Sequence, residues 1–326
     1  MKTKIWLALL ALYIVWGSTY LAIRFSVETI PPFLHASIRF LISGVILFTW
    51  RRLAGDAPPT RSNWKSTAIV GTALLLGGNG LVALAEKTVP SGIAALMIST
   101  SPFWLVLFES FRTKSKPNWL VVLGLIVGFT GVFILIGPAE ITGGEGSVDR
   151  FGAIMLLLAP IFWSMGSIYA RGADMPQSNL LGTGMEMLTG AVALFVVSVL
   201  TGELNGFNFA QVSTRSWLGL LYLITFGSLI GFVAYGWLLQ NAPISLTSTY
   251  AYVNPMVAVF LGYVLADEAL NGRILIASVI IVGSVILINY ARMLKPKTQP
   301  LQAVSDDGEH QSHFEKRSPS AEGADK

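Results

Sequence analysis

The sequence predicts an all-α integral membrane protein with ten transmembrane helices arranged in two inverted five-helix repeats. Three observations carry this prediction: an apolar composition, apolar runs long enough to cross a bilayer, and an internal repeat. Of the 326 residues, 53% are hydrophobic and only 12% are charged. Soluble domains carry about 25% charged residues. A soluble enzyme is therefore the least favoured class of protein.

Ten runs of 18 to 23 mostly apolar residues recur along the chain. A helix needs about 17–25 such residues to cross the hydrocarbon core, whereas a strand of a membrane barrel needs about 9–11. The runs hold only 5 of the 40 charged residues, and short segments rich in proline and glycine separate them. The predicted transmembrane helices are Ile5–Phe25, Phe33–Trp50, Ser66–Ala85, Ser91–Phe111, Trp119–Gly137, Phe151–Ala170, Leu180–Leu200, Trp217–Leu239, Ile244–Ala266 and Ile274–Leu294.

Lysine and arginine are concentrated in alternate loops. With the N-terminus in the cytoplasm, 13 of the 22 basic residues fall on the cytoplasmic side and 5 on the opposite side. Because short cytoplasmic loops are enriched in these residues, both termini are predicted to be cytoplasmic. The net charge of +4 is then a topology signal. No basic patch interleaved with aromatic residues indicates a nucleic-acid partner.

The internal repeat has an offset near 150 residues: Trp16 corresponds to Trp163 at an offset of 147, and Pro102 to Pro255 at 153. The repeat predicts a first domain at 1–149 and a second at 150–294. A disordered cytoplasmic tail is predicted at 295–326, because its composition is too polar to fold alone. Five helices are an odd number, so the two repeats must cross the membrane in opposite orientations. Inverted repeats are typical of secondary transporters, which bind substrate near the bilayer midplane between the halves.

Several segments resemble the tandem EamA repeats of the drug/metabolite transporter superfamily, and the resemblance covers residues 1 to about 294. They are Ile14–Tyr20 (IVWGSTY), His35–Phe40 (HASIRF), Val89–Ala95 (VPSGIAA), Met185–Leu188 (MEML) and Ser248–Pro255 (STYAYVNP). The resemblance implies a ten-helix, exporter-like permease of small metabolites with cytoplasmic termini.

One pair of residues departs from the family pattern, in which Gly-Glu often ends the fourth and ninth helices. Asp267-Glu268 resembles this pair in the second half, but Phe111-Arg112 stands in the first half. No role of a first-half glutamate is therefore carried over to this chain.

Two charges lie deep inside the predicted spans. Arg39 and Glu186 are each the seventh residue of a span, which places them roughly 10 Å inside at 1.5 Å per residue. A central charge costs about 2.5–3.5 kcal/mol to insert and usually faces the interior. We expect Arg39 to bind a substrate carboxylate and Glu186 to bind a substrate amine or a coupling proton. A purely structural ion pair is the alternative. Arg24 lies near a span end and can reach the interface.

Polar and breaker residues form a second group of candidates. Asn79 lies among three glycines, which permit either a local unwinding that binds substrate or close helix packing. Pro102 and Pro255 occupy matched positions in the two repeats. Each proline frees the carbonyl four residues earlier, so a hinge or gate is predicted there, with Asn254 beside it as a substrate contact.

Aromatic residues form the third group. Trp16 and Trp163 lie in the middle of repeat-equivalent spans. Both are expected either to line a central cavity and stack on a substrate cation or to pack in the core. Tyr250 is two residues from Tyr252, so the two tyrosines point to different faces of a helix, and Tyr250 is kept as the cavity candidate.

The predicted function is a secondary active transporter of the bacterial inner membrane that exports small metabolites such as amino acids or drug-like compounds by alternating access. The predicted partners are membrane lipid, a small-molecule substrate and, as a candidate coupling ion, the proton. A passive channel is one alternative. A membrane enzyme is a weaker one, since His35 is the only histidine before the tail. With no cysteine and no nucleotide-binding or metalloprotease motif, we expect no enzymatic activity, cofactor or metal.

Overall fold

The computed structural model describes residues 2–114, 119–136, 149–242, 244–247 and 249–293. The predicted tail at 295–326 lies outside these ranges. The helices are α1 (Lys2–Ser26), α2 (Pro32–Leu53), α3 (Arg61–Ala85), α4 (Ser91–Ile98), α5 (Ser101–Thr113), α6 (Trp119–Ile136), α7 (Arg150–Ala170), α8 (Asn179–Leu200), α9 (214–241), α10 (Ile244–Thr247), α11 (Tyr250–Ala266) and α12 (Gly272–Met293).

The predicted all-helical membrane fold is confirmed. Within the described ranges, nine helical units are long and apolar enough to cross a membrane: α1, α2, α3, α4 with α5, α6, α7, α8, α9 and α12. The predicted tenth span, at 244–266, contains α10 and the 17-residue apolar helix α11. The count of ten therefore stays a prediction.

Polar side chains fix where several helices begin. Before α3, the Thr60 hydroxyl accepts a hydrogen bond from the Asn63 N–H at 3.1 Å, and the Asn63 side chain accepts from the Thr60 N–H at 3.0 Å. Before α7, the Asp149 carboxylate accepts from the Gly152 N–H at 2.8 Å. Such caps satisfy backbone donors that a first helical turn leaves free.

Two kinds of interruption divide the long helices. Residues 99 and 100 separate α4 from α5, and Pro102 is the second residue of α5. The Ile98 carbonyl, which the sequence predicts to be free, accepts the Ser101 hydroxyl at 2.6 Å. The other interruption is π-helical, at Thr72–Gly80 in α3 and Leu223–Ile230 in α9. These two segments begin 151 residues apart, close to the repeat offset. Segments of this kind occur frequently at functional sites.

Helices from the two halves pack on one another in matched pairs. Helix α2 packs on α8, α6 on α12, and α4 on α11, while α1 contacts α11 and α9 as α7 contacts α5 and α3. Glycine permits the closest approach: a Cβ at Gly184 of α8 would lie 2.9 Å from the Phe48 nitrogen of α2. Small residues let helix backbones meet in this way.

Large apolar side chains cover much of the outer surface. Leu7, Ile126, Phe133, Val192 and Val279 are between 58% and 72% exposed. A soluble monomer rarely shows contiguous apolar surface on this scale. The exposure agrees with helices that face lipid on the outside and a core on the inside.

Candidate functional site

A cavity of about 200 Å³ lies in the interior of the bundle. Side chains from α1, α2, α3, α4, α5, α7, α9 and α11 line it, so both halves of the sequence contribute. Eight of the nine residues predicted from the sequence are part of its wall: Trp16, Arg39, Asn79, Pro102, Trp163, Tyr250, Asn254 and Pro255.

Arg39 provides the only charge among the lining residues that the structure describes. It is 5% exposed, and its Nε donates to the Ser228 hydroxyl at 3.0 Å. Its guanidinium carbon lies 4.7 Å from the centre of the Phe40 ring. Arginine carries five N–H donors in a planar fork. The cavity wall is therefore cationic at one point and suited to a planar anion such as a carboxylate.

Glu186, the ninth predicted residue, does not line the cavity. It lies half-buried on α8, where its backbone carbonyl faces Gly71 of α3 and accepts the Thr189 hydroxyl. Its neighbours Met185 and Met187 are at most 1% exposed and occupy the core instead. The Arg39 and Glu186 side chains form no ion pair among the described contacts.

Aromatic rings form one wall of the cavity. The Trp16 ring lies 5.1 Å from Tyr250, 5.2 Å from Tyr235 and 5.5 Å from Phe232, measured between centroids. The Trp16 indole N–H donates to the Gly227 carbonyl at 3.2 Å, inside the π-helical segment of α9. Such a wall favours an apolar or aromatic ligand body.

The two asparagines contact backbone carbonyls at the interruptions of their helices. Asn79 lies in the π-helical segment of α3, and its amide donates to the Leu74 carbonyl at 3.2 Å. With its amide nitrogen turned toward them, Asn254 donates to the carbonyls of Tyr13 at 3.3 Å and Tyr250 at 3.2 Å.

Three lining residues of α1 were not predicted from the sequence: Thr19, Tyr20 and Ile23. Thr19 and Tyr20 follow Trp16 by three and four positions, so they share one face of a helix with it. That spacing was visible in the sequence and could have identified both residues. Phe232 of α9 and Ser99 between α4 and α5 line the cavity without a comparable signal.

A polar cluster joins the ends of several helices beyond the cavity; we call it the end cluster. The Glu268 carboxylate accepts the Ser91 N–H at 2.7 Å, the Ser91 hydroxyl at 2.8 Å and the Gly92 N–H at 3.0 Å. Arg24 places its Nε 3.7 Å from Glu268 and donates from Nη1 to the Glu86 carbonyl at 3.0 Å. The end cluster therefore links α1, α3, α4 and the residues after α11.

Comparison with known proteins identifies relatives along the whole helical region. The model of the EamA-like transporter family matches twice, at residues 3–137 and 150–290. The uncharacterized inner membrane transporter YedA of Escherichia coli K12 is 37% identical over 92% of this chain and 95% of its own length.

More distant relatives also match most of this chain. The uncharacterized transporter YoaV of Bacillus subtilis is 23% identical over 85% of this chain and 94% of its own length. A protein of known crystal structure, 22% identical, matches 90% of this chain and 99% of its own chain with a TM-score of 0.60, which supports the fold. The two family matches and the identity to YedA show that the chain belongs to the EamA-like transporter family.

Proposed function

We propose that this protein is a secondary active transporter that moves small metabolites through the central cavity by alternating access. The main support for this proposal is a cavity inside the bundle that is lined by one buried guanidinium and a wall of aromatic rings. Because Arg39 is the charged lining residue, the favoured substrates are small carboxylates with an apolar or aromatic body, a class that includes amino acids. The proposed direction is export across a bacterial inner membrane, the location that the name of YedA gives for that relative.

The matched helix contacts support an inverted repeat. An axis that exchanges α2 with α8 and α6 with α12 also exchanges α1 with α7 and α9 with α3. The contact between α1 and α9 then becomes the contact between α7 and α3, and both contacts are present. With five spans in each half, one at 1–149 and the other at 150–294, the exchanged halves have opposite orientation. Both termini are then cytoplasmic, as the distribution of basic residues predicts.

The proposal is tested by efflux from cells that express the protein, with a panel of amino acids and aromatic carboxylates, followed by counterflow in proteoliposomes. Arg39→Gln removes the charge while keeping a long polar side chain. A hydrogen bond to a charged group contributes about 1.5–3 kcal/mol, so we expect KM to rise roughly 10- to 150-fold. Arg215→Gln is the matched control, because Arg215 is 50% exposed and pairs with Glu28 away from the cavity.

The outcomes separate the alternatives. Saturable counterflow that Arg39→Gln weakens and Arg215→Gln does not supports a carrier. Flux without saturation or counterflow would identify a channel. An Arg39→Gln protein that inserts normally and transports anionic compounds with an unchanged KM would refute the assigned role of Arg39.

A further inference from the structure

Glu86, the first residue after α3, carries a buried carboxyl group that the described function leaves unassigned. The residue is 1% exposed. Its N–H continues the helix by donating to the Val82 carbonyl at 2.9 Å. Both carboxyl oxygens are buried and have no hydrogen-bond partner among the described residues. A buried polar group without a partner requires an explanation.

The guanidinium of Arg24 contacts groups other than the Glu86 carboxyl group. Arg24 donates from Nη1 to the backbone carbonyls of Glu86, at 3.0 Å, and Val89, at 3.3 Å. Its Nε lies 3.7 Å from Glu268. The guanidinium is therefore held beside Glu86 without a hydrogen bond to the Glu86 carboxyl group.

A carboxyl group in this setting favours its neutral form, because desolvation without a hydrogen bond penalises the anion. Burial raises the pKa of Glu86 well above its ordinary value, and the negative charge of Glu268 raises it further, while Arg24 and Arg39 oppose the change. The two carboxyl groups of the end cluster differ in hydrogen bonding: Glu268 accepts three hydrogen bonds, and Glu86 has none among the described residues.

Glu86 also lies next to the cavity. Val82, one helical turn earlier, is a lining residue, and side chains on a helix lean toward its N-terminus, which directs Glu86 toward that turn. Tyr20 and Arg39, both lining residues, are close enough to Glu86 for electrostatic interaction. A change of charge at Glu86 therefore changes the electrostatic potential at the Arg39 guanidinium in the cavity wall.

We infer that Glu86 is a proton-binding site of the transport cycle, which holds its proton while the end cluster is closed and releases it when that end opens. The inference rests on the proposed transport function. On opening, water reaches the carboxyl group, its O–H bond breaks, and the proton passes to water. The remaining carboxylate is balanced by Arg24 and Arg39, and it competes with an anionic substrate for the Arg39 guanidinium. Proton binding at Glu86 and substrate binding in the cavity are thereby linked.

Other ionisable groups lie on several of the elements near Glu86. His35 of α2 is 1% exposed, and neither ring nitrogen has a hydrogen-bond partner among the described residues. The face of α7 toward α3 contributes the apolar Ala153 and Leu156. The remaining groups are Tyr20 and Arg24 on α1, Arg39 on α2, Lys87 beside Glu86, Asp149 at the start of α7, and Glu268 after α11.

Infrared difference spectroscopy of the purified protein tests the proton directly, without a transported compound. We expect the wild type to show the carbonyl band of a protonated carboxyl group without hydrogen bonds at neutral pH, and to lose it on alkaline titration. Glu86→Gln should lack the band, and Glu86→Asp should shift it. Glu28→Gln, an exposed glutamate after α1, is the control and should keep it. A wild type without the band, or a Glu86→Gln protein that retains it, would overturn the assignment.

Cavity access tests the linkage to opening. The natural chain has no cysteine, so Ser99→Cys introduces a single reporter in the cavity wall. Labelling by a membrane-impermeant maleimide from the side of Lys87 should increase severalfold as pH rises through the titration of the infrared band. In Ser99→Cys/Glu86→Gln, labelling should rise with pH only through ionisation of the thiol itself, and this rise is subtracted as the baseline. Equal pH dependence in both proteins would refute the linkage, whereas an infrared band without any transport would refute the proposed function alone.

Discussion

Replacing Glu268 with glutamine should destabilise the fold more than a change of one atom suggests. The carboxylate closes the N-terminus of α4, where Pro90 at the cap position offers no side-chain hydrogen bond. Glu268 supplies the missing acceptors from a distant part of the sequence, and its side chain is 9% exposed. A negative charge at this position also interacts favourably with the α4 helix dipole.

The magnitude follows from the three hydrogen bonds. A glutamine oxygen can replace Oε1, which accepts from the N–H and hydroxyl of Ser91. Its NH₂ group would then face the Gly92 N–H, so the 3.0 Å bond to Oε2 is lost. That loss costs about 1.5–3 kcal/mol, and removing the charge from the helix dipole costs about 0.3–2 kcal/mol. We therefore expect Glu268→Gln to lower the free energy of unfolding by about 2–5 kcal/mol.

The assay is reversible unfolding in mixed micelles of SDS and a nonionic detergent, followed by circular dichroism. Asp267→Asn is the matched control, because Asp267 is exposed and has a φ of 51°, which asparagine tolerates well. Its free energy of unfolding should stay within about 0.5 kcal/mol of the wild type. A Glu268→Gln protein equally close to the wild type would show that these hydrogen bonds contribute no net stability.

Two further changes test the packing and the capping. A Cβ at Gly71 would collide with the α8 backbone, so Gly71→Ala should cost about 1–3 kcal/mol. At Gly283 a Cβ would meet open space, so Gly283→Ala should leave the free energy of unfolding unchanged. Equal losses of stability in the two variants would contradict the contact between Gly71 and α8. Asp149→Ala should cost about 0.5–2 kcal/mol through its lost cap. The Gly152 N–H lowers the pKa of Asp149, so this contribution is present above the pKa of the unfolded carboxyl group and disappears on acidification. The difference in free energy of unfolding between the wild type and Asp149→Ala should therefore be smaller at acid pH than at neutral pH. A difference that is the same at both pH values would contradict the capping role of Asp149.

The sequence predicted the helical fold well because hydrophobic length is a strong signal. A predicted span such as Ser91–Phe111 begins where α4 begins and ends two residues before α5 does. The π-helical segments of α3 and α9 were not predicted. Close contacts with other helices occur in these segments, such as Gly78 against Trp163, and a local sequence pattern does not reveal such contacts.

The contrast between Arg39 and Glu186 shows what such a prediction lacks. Both residues are seventh in their predicted spans, so the same depth in the membrane was expected for both. Depth along a helix does not fix which side of the helix faces the cavity. That rotation is set by the packing of α2 on α8, which Gly44 and Gly184 permit. In this packing Arg39 reaches the cavity, and Glu186 lies beside Gly71 instead.

The charges at the helix ends were harder to interpret, because a charge near a span end ordinarily reaches the interface and has no further role. Arg24, Glu86 and Glu268 each fit that description when taken alone. The fold brings them together, since α1 and α3 end where α4 begins and where the chain leaves α11. Arg24 then contacts backbone carbonyls, Glu268 caps a helix, and Glu86 is left buried without a hydrogen bond. Only a three-dimensional arrangement distinguishes these three environments, so no local sequence pattern could single out the buried carboxyl group of Glu86 at a helix end.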